Sequence, residues 1–320
     1  MIETPPNAAA ISAQLAQQYT GRLTAPDMLQ PVAAGASGRS IMRVHGLVAI
    51  HWTGARADNN SFLPAAHGLA AAGIHVPAIL AEKKLPNNCG VCLTEDLGTV
   101  DILSLKNAPT AQKTEAYRQA IDTLIPFWRL KPDWALQPPF DAALYRWEQE
   151  YFAEHFLGTH LGQNPTPFLK NPALRDMSEW LAGLPRVPVH RDCQSQNIML
   201  KDGLAWLIDF QGMRMGLAEY DIASLLYDPY MELSDEERRG LLDYLQQRRD
   251  AVDARILNAC AMQRLMQALG AFANIGHNSG KRWYLQQIPA ALTALRQVIS
   301  NTPEDSPAHA AAACLRLVIK

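Results

Sequence analysis

In "VHRDCQSQNIML", residues 189–200, the run His190-Arg191-Asp192 stands just ahead of Asn197, and "LAWLIDF" follows, ending on Asp209-Phe210. The residue types and spacing suit one kind of chemistry. A carboxylate on a loop can take a proton from an attacking hydroxyl, which gives Asp192 the part of a base. An amide five residues on can turn back and offer its side-chain oxygen to a hard cation, which makes Asn197 a candidate ligand. Ile198 and Leu200 lead into a short apolar strand, "KDG" reads as a turn, and the returning strand delivers Asp209 beside Asn197. Two oxygen donors brought together by a hairpin are what Mg²⁺ requires when it bridges phosphates. The expected reaction is therefore phosphoryl transfer, with Asp192, Asn197 and Asp209 as catalytic residues and the last two as metal ligands.

Such a loop needs elements to hold it. A first helix is predicted over about residues 7–19. The stretch "LQPVAAGASGRSIMRVHGLVAIHW" then reads as strand, Gly-rich turn, strand, short turn and strand. "NSFLPAAHGLAAAGI" has helical spacing and stops at Gly73, and "VPAILAEKK" and "VCLTEDLG" are two more strands about an "LPNN" turn. After residue 98 the pattern is helical: "TEAYRQAIDTLIPFWRL", "FDAALYRWEQEYFAEHFLG" and nearly everything beyond 220. The fold class is α+β, with a small β-rich lobe over 1–97 and a larger, mainly helical lobe over 98–320 that carries the loop and the acceptor site.

Bulk properties exclude several alternatives. With 320 residues, 48% hydrophobic and 19% charged, the chain suits a packed globular protein of two lobes. A formal net charge of −2 points to neither nucleic acid nor an anionic membrane as partner. No apolar run approaches the roughly 20 residues that cross a bilayer. The first residues lack a basic region followed by an apolar core, so a cytoplasmic address is expected, with no obligatory protein partner. Five cysteines are an odd count for a disulfide framework, and Cys89-Gly-Val-Cys92 has no second pair to complete a zinc site.

The ordered set of His-Arg-Asp-x-x-x-x-Asn, hairpin and Asp-Phe resembles the protein-kinase-like superfamily, and within it the branch of aminoglycoside phosphotransferases and choline kinases. The resemblance implies a bilobal protein-kinase-like fold. It makes "GASGRS" (Gly35, Ala36, Ser37, Gly38, Arg39, Ser40) the loop that covers a nucleotide. It also places "EDL" (Glu95, Asp96, Leu97) where backbone groups meet adenine, with ATP or GTP as donor and Mg²⁺ as cofactor. Asp221 resembles the aspartate that holds the catalytic loop through backbone hydrogen bonds. "HRDCQSQNIM", "LIDFQGMRMG", "AEYDIASLLYDPY" and "GAFANIGHNSGKRWYLQQIP" look most like the anomeric sugar kinases that act on N-acetylmuramate and N-acetylglucosamine in cell-wall recycling. Gln211 in place of the Gly of Asp-Phe-Gly belongs to that likeness.

One departure from the superfamily pattern stands out. Val48-Ala49-Ile50-His51 carries histidine where the pattern has a phosphate-binding lysine, and "DNNSF" offers no glutamate partner. His51 is a weaker phosphate ligand than lysine, so Arg39 or Arg43 is expected to supply the charge; a catalytically weak pseudokinase is the alternative. Only twelve positions separate Asp209 from Asp221, too few for a peptide-docking segment, so the acceptor is expected to be a small molecule. Gln194, Ser195, Gln196, Gln211 and Arg214 suit a sugar, while Glu148 on the "LYRWEQEYF" helix leaves an aminoglycoside, choline or ethanolamine acceptor open.

Overall fold

The structure is a computed structural model and describes residues 8–32, 39–249 and 252–319. Gly35, Ala36, Ser37 and Gly38 of the predicted nucleotide loop lie outside these. By contacts the chain forms two compact units: residues 1–100, 131–137 and 199–212 in the first, and 101–130, 138–198 and 213–320 in the second.

The first unit is built on a five-stranded sheet, β1 (Gln30–Pro31), β2 (Ser40–Val44), β3 (Leu47–Trp52), β4 (Ile79–Lys84) and β5 (Gly90–Glu95), in the order β1-β2-β3-β5-β4. Its ladders are antiparallel. β2 and β3 join through His45 and Gly46, both at positive φ, the backbone that a two-residue hairpin turn of matching twist demands. Helix α1 (Ala8–Thr20) packs Ala13, Leu15 and Ala16 against Met42, Val44, Ala49, Val91 and Leu93 of the sheet. Helix α2 (Phe62–Ala71) follows β3 and ends before Gly73, whose φ of +75° reverses the chain. Trp134, from residues 131–137, lies over α2: a Cβ on Gly68 would stand 2.4 Å from its ring.

The second unit is helical, as its apolar spacing predicts: α3 (Thr110–Trp128), α4 (Ala142–Tyr151), α5 (Thr166–Leu169), α6 (Pro172–Ala182), α7 (Ala218–Leu226), α8 (Asp235–Gln246), α9 (Ala254–Asn278), α10 (Ile288–Ser300) and α11 (His309–Val318). A π-helical segment over Phe152–His160 continues α4, so the predicted helix through "YFAEHFLG" is present but more widely coiled. α9 is the hub, with sixteen buried residues, and packs against α4, α7 and α10. α8 opens on Ser234, whose hydroxyl accepts from the Glu237 amide while the Glu237 carboxylate accepts from the Ser234 amide.

Two small strand pairs bracket the loop chemistry. β6 (Val187–Val189) pairs antiparallel with β9 (Arg214–Gly216), placing Val189 across from Arg214. β7 (Ile198–Lys201) and β8 (Leu204–Leu207) form the predicted hairpin. Its turn, Asp202-Gly203, has φ of 53° and 75°, the left-handed pair that makes Asp-Gly a hairpin signal. Among the described residues no helix is long and apolar enough to cross a membrane.

Candidate active site

The loop that follows β6 is held by carboxylates from below. Asp221, fully buried on α7, accepts from the backbone N–H of His190 and of Arg191 at 2.8 Å each and from the Trp128 indole at 3.0 Å. Asp228 accepts from the Ser195 backbone at 2.8 Å and from the Ser195 hydroxyl. Arg191 sits at φ +79°, outside the ordinary range of a non-glycine residue, and its own and His190's backbone bonds to Asp221 hold it there. Asn197 gives its amide Nδ2 to the Asp192 carbonyl at 2.9 Å, which leaves its side-chain oxygen as the atom that could ligate.

Asp192 is the exposed member of this group, with 32% of its side chain open to solvent. Burial by itself would raise its carboxyl, but Arg191, Arg264, His190 and Arg214 outweigh it and hold the group below the usual carboxylate range. Arg264 reaches from α9: Nη1 is 3.3 Å from Asp192 Oδ1, Nη2 donates to Gln194 Oε1 at 3.0 Å, and Nε donates to Ser224 Oγ at 3.1 Å. Gln267 accepts from Nη1 as well. The sequence reading missed Arg264. Its signal was a single charge in "CAMQRLMQALG", an otherwise apolar helical run.

Glu148, expected at the acceptor, is buried with no exposure. Tyr220 donates to its Oε1 at 2.7 Å and Gln263 to its Oε2 at 3.3 Å. Burial pushes Glu148 up to about 7, against the lowering by the Tyr220 hydroxyl, Arg191 and Arg264. A carboxyl raised on folding contributes stability that is fully present below its ordinary value and is lost as pH rises through about 7. That loss runs at about 1.4 kcal/mol per pH unit in the window between. Glu148→Gln has no such proton to lose. Its thermal midpoint, measured against the parent, should improve from about pH 5 to about pH 7 and then level off, whereas a pH-independent difference would contradict the buried, raised carboxyl.

In the first unit, Asp209 closes the stretch after β8 at φ +62°. Gln211, two residues on and 5% exposed, donates Nε2 to Asp209 Oδ1 at 2.7 Å. Its Oε1 accepts from Arg39 Nη1 at 2.9 Å, and its carbonyl accepts from Ser61 Oγ at 3.0 Å. Arg39 Nε donates to Asn59 Oδ1 at 2.8 Å. His51 is buried on β3 across from Ser40, and burial lowers its pKa, so it stays neutral. Arg43 is committed elsewhere: its Nε pairs with Asp96 Oδ2 at 2.8 Å and its Nη2 donates to the Gly98 carbonyl. Lys201 donates to the Asp96 carbonyl at 3.2 Å and stands 3.9 Å from Glu95, so the Glu95-Asp96-Leu97 segment after β5 is braced by two cations.

Two of the expected acceptor contacts are thus enclosed as well. Ser195 is fully buried against Asp228, and Gln211 turns to Arg39 and Asp209. Gln194 is half-buried against Arg264, Gln196 is half-buried, and Arg214 is 8% exposed with its guanidinium 5.4 Å from the centre of the Phe140 ring. Asn197 carries an amide oxygen and Asp209 a carboxylate, each by itself a hard oxygen donor of the kind Mg²⁺ takes. The five cysteines are free, and burial pushes Cys92 up to about 12, far from a reactive thiolate.

A model of the phosphotransferase enzyme family matches residues 29–256. The N-acetylmuramate/N-acetylglucosamine kinase of Pseudomonas putida is 35% identical over 257 residues, 76% of this chain and 74% of that protein. The N-acetylmuramate/N-acetylglucosamine kinase of Pseudomonas aeruginosa is 29% identical over 304 residues, 87% of this chain and 86% of that one. Among solved structures, a choline/ethanolamine kinase family protein from Mesorhizobium loti matches with a TM-score of 0.61 at 16% identity, covering 98% of this chain and 100% of that chain. An aminoglycoside-3'-phosphotransferase of type VIII matches at 0.56 and 18% identity, covering 81% and 98%.

Proposed function

Because the chain belongs to the phosphotransferase enzyme family, we propose that it moves the γ-phosphoryl group of ATP onto the anomeric hydroxyl of an N-acetyl amino sugar, such as N-acetylmuramate or N-acetylglucosamine. The fold is the kinase-like one expected, an antiparallel five-stranded sheet followed by a mostly helical part, and the chain is an ATP-dependent phosphotransferase. The acceptor and its phosphorylated carbon are the proposal, as is a place in cell-wall recycling in the cytoplasm.

One observation carries the choice of acceptor. The cations that act on Asp192 are Arg191, Arg264 and Arg214, whereas the acidic residue Glu148 is enclosed. A cationic acceptor, such as choline or an aminoglycoside, would be repelled by that set; a neutral sugar or one bearing a carboxylate would not.

In mechanism, Asp192 orients the acceptor hydroxyl and takes its proton at the carboxylate while the phosphoryl group transfers in line. Arg191 and Arg264 keep that carboxylate ionised, and Asp221 and Asp228 hold the loop so that the base is in place before the acceptor arrives. Asn197 and Asp209 would hold Mg²⁺, which when bound neutralises charge on the phosphates. The backbone of Glu95, Asp96 and Leu97 receives the base of the nucleotide, the segment being braced by Arg43 and Lys201.

The test is transfer of label from γ-labelled ATP to N-acetylmuramate, N-acetylglucosamine, choline and kanamycin in parallel, with the phosphorylated carbon read by NMR. The two sugars should exceed the cations by about 100-fold or more in kcat/KM. Preferential labelling of choline or kanamycin would overturn the acceptor assignment.

A further inference from the structure

Of three departures from the superfamily pattern, read separately in the sequence, two meet in one hydrogen-bonded network and the third lies on the strand beside it. The strand lysine is replaced by His51, its helix carboxylate is replaced by the "DNNSF" stretch, and the glycine after Asp-Phe is replaced by Gln211. His51 is buried and neutral, so nothing at its position supplies a charge. Arg39, just before Ser40 and so beside the residue paired with His51, brings a guanidinium to this part of the sheet. Asn59, from the stretch that lacks a glutamate, takes its Nε at 2.8 Å and is itself fixed by donating to the Thr53 carbonyl at 3.1 Å. Gln211 takes Nη1 at 2.9 Å, and the Arg39 guanidinium lies 4.4 Å over the Phe62 ring. The remaining nitrogen, Nη2, is buried and has no partner among the described residues.

A buried guanidinium N–H left unmatched is costly, and a phosphate oxygen would satisfy it. The second half of the network concerns Asp209. A side-chain amide is a neutral group that can accept from a guanidinium at its oxygen and donate to a carboxylate at its nitrogen. Gln211 does both, and Ser61, itself accepting from Gln137 at 2.8 Å, pins its backbone. Glycine at this position could make neither side-chain bond. Arg43, the other cation considered for this duty, is occupied by Asp96 and the Gly98 carbonyl.

We infer that Arg39 is the cation that holds the donor's phosphates in place of the missing strand lysine, and that Gln211 is a positioning residue that fixes the Asp209 carboxylate relative to that guanidinium. The inference rests on the nucleotide-binding reading above and deepens it. The loss of lysine, glutamate and glycine is then one coordinated exchange, since an arginine just ahead of the neighbouring strand needs an uncharged amide partner rather than a carboxylate to keep a donor free for phosphate.

The experiment is calorimetric titration of ADP, with and without Mg²⁺, into the full chain and its variants, with folding checked by thermal unfolding. Arg39→Met should weaken ADP about tenfold or more in both conditions, and Arg39→Lys should restore part of the loss. Gln211→Leu should remove most of the gain that Mg²⁺ confers, read as the ratio of its ADP affinities with and without the metal. Gln211→Asn, one methylene too short to span both partners, should behave the same way and serves if the leucine variant does not fold. Parent-like ADP affinity in Arg39→Met would overturn the phosphate role of Arg39. An undiminished Mg²⁺ gain in both Gln211 variants would overturn the link to Asp209. If the parent itself fails to bind ADP, the nucleotide-binding reading is what has failed, and the inference falls with it.

Discussion

Asp192→Asn should lose about a thousandfold or more in kcat while its affinity for ADP with Mg²⁺ stays within about threefold of the parent. Asparagine keeps the shape of the side chain and can still orient a hydroxyl, but it cannot take the proton. The loop itself should survive, because Asp221 and Asp228 bind its backbone and Ser195 independently of the Asp192 carboxylate. Loss of the negative charge weakens one contact of Arg264 without unseating that arginine, which Ser224 and Gln194 still engage. Steady-state turnover together with calorimetry separates the two quantities. A variant that turns over within about tenfold of the parent would remove Asp192 from the role of base.

The second large effect is expected at Asp209. Asp209→Ala should weaken ADP with Mg²⁺ by about tenfold to a hundredfold, because a hard cation loses a carboxylate donor. The sign reverses without the metal. Removing a carboxylate that repels phosphates should leave Mg²⁺-free ADP binding equal or slightly tighter. The pair of titrations is therefore more telling than either alone. Equal weakening in both conditions would mean that Asp209 acts through Arg39 and Gln211 rather than on a metal, and an unchanged Mg²⁺ affinity would contradict the ligand role outright.

What the sequence could reveal follows from the range over which each signal acts. The hairpin β7–β8 was legible because Asp202-Gly203 fixes a left-handed turn locally. The five-stranded sheet and α1 followed from alternation and helical spacing, which are also local. Asp221 was found through its place in a familiar order of motifs, and its two backbone bonds agree with that reading. β6 and β9 were missed because three residues carry too little periodicity to distinguish a strand from a loop, although their pairing sets Arg214 across from Val189.

At the site a different limit applies. Gln211, Ser195 and Glu148 were chosen for the acceptor by residue type, yet each is enclosed by a partner distant in sequence: Arg39, Asp228 and Tyr220. Composition and spacing cannot tell an outward amide from one that bridges two buried groups. Arg264 was invisible for the same reason, because its place beside Asp192 depends on how α9 packs rather than on any neighbour in the chain. Asn59 and Ser61 were noted only as a missing glutamate, and their positive role appears once Arg39 is seen to reach Asn59.

The most direct measurement is single-turnover phosphoryl transfer from enzyme preloaded with γ-labelled ATP and Mg²⁺ to N-acetylglucosamine, run side by side for the parent and Asp192→Asn. Preloading removes nucleotide binding from the comparison, so the rate reports the transfer step alone. The account predicts label on the sugar in the parent and a transfer rate lower by about a thousandfold in the variant at saturating sugar. Equal transfer rates in the two proteins, with both fully loaded, would contradict it.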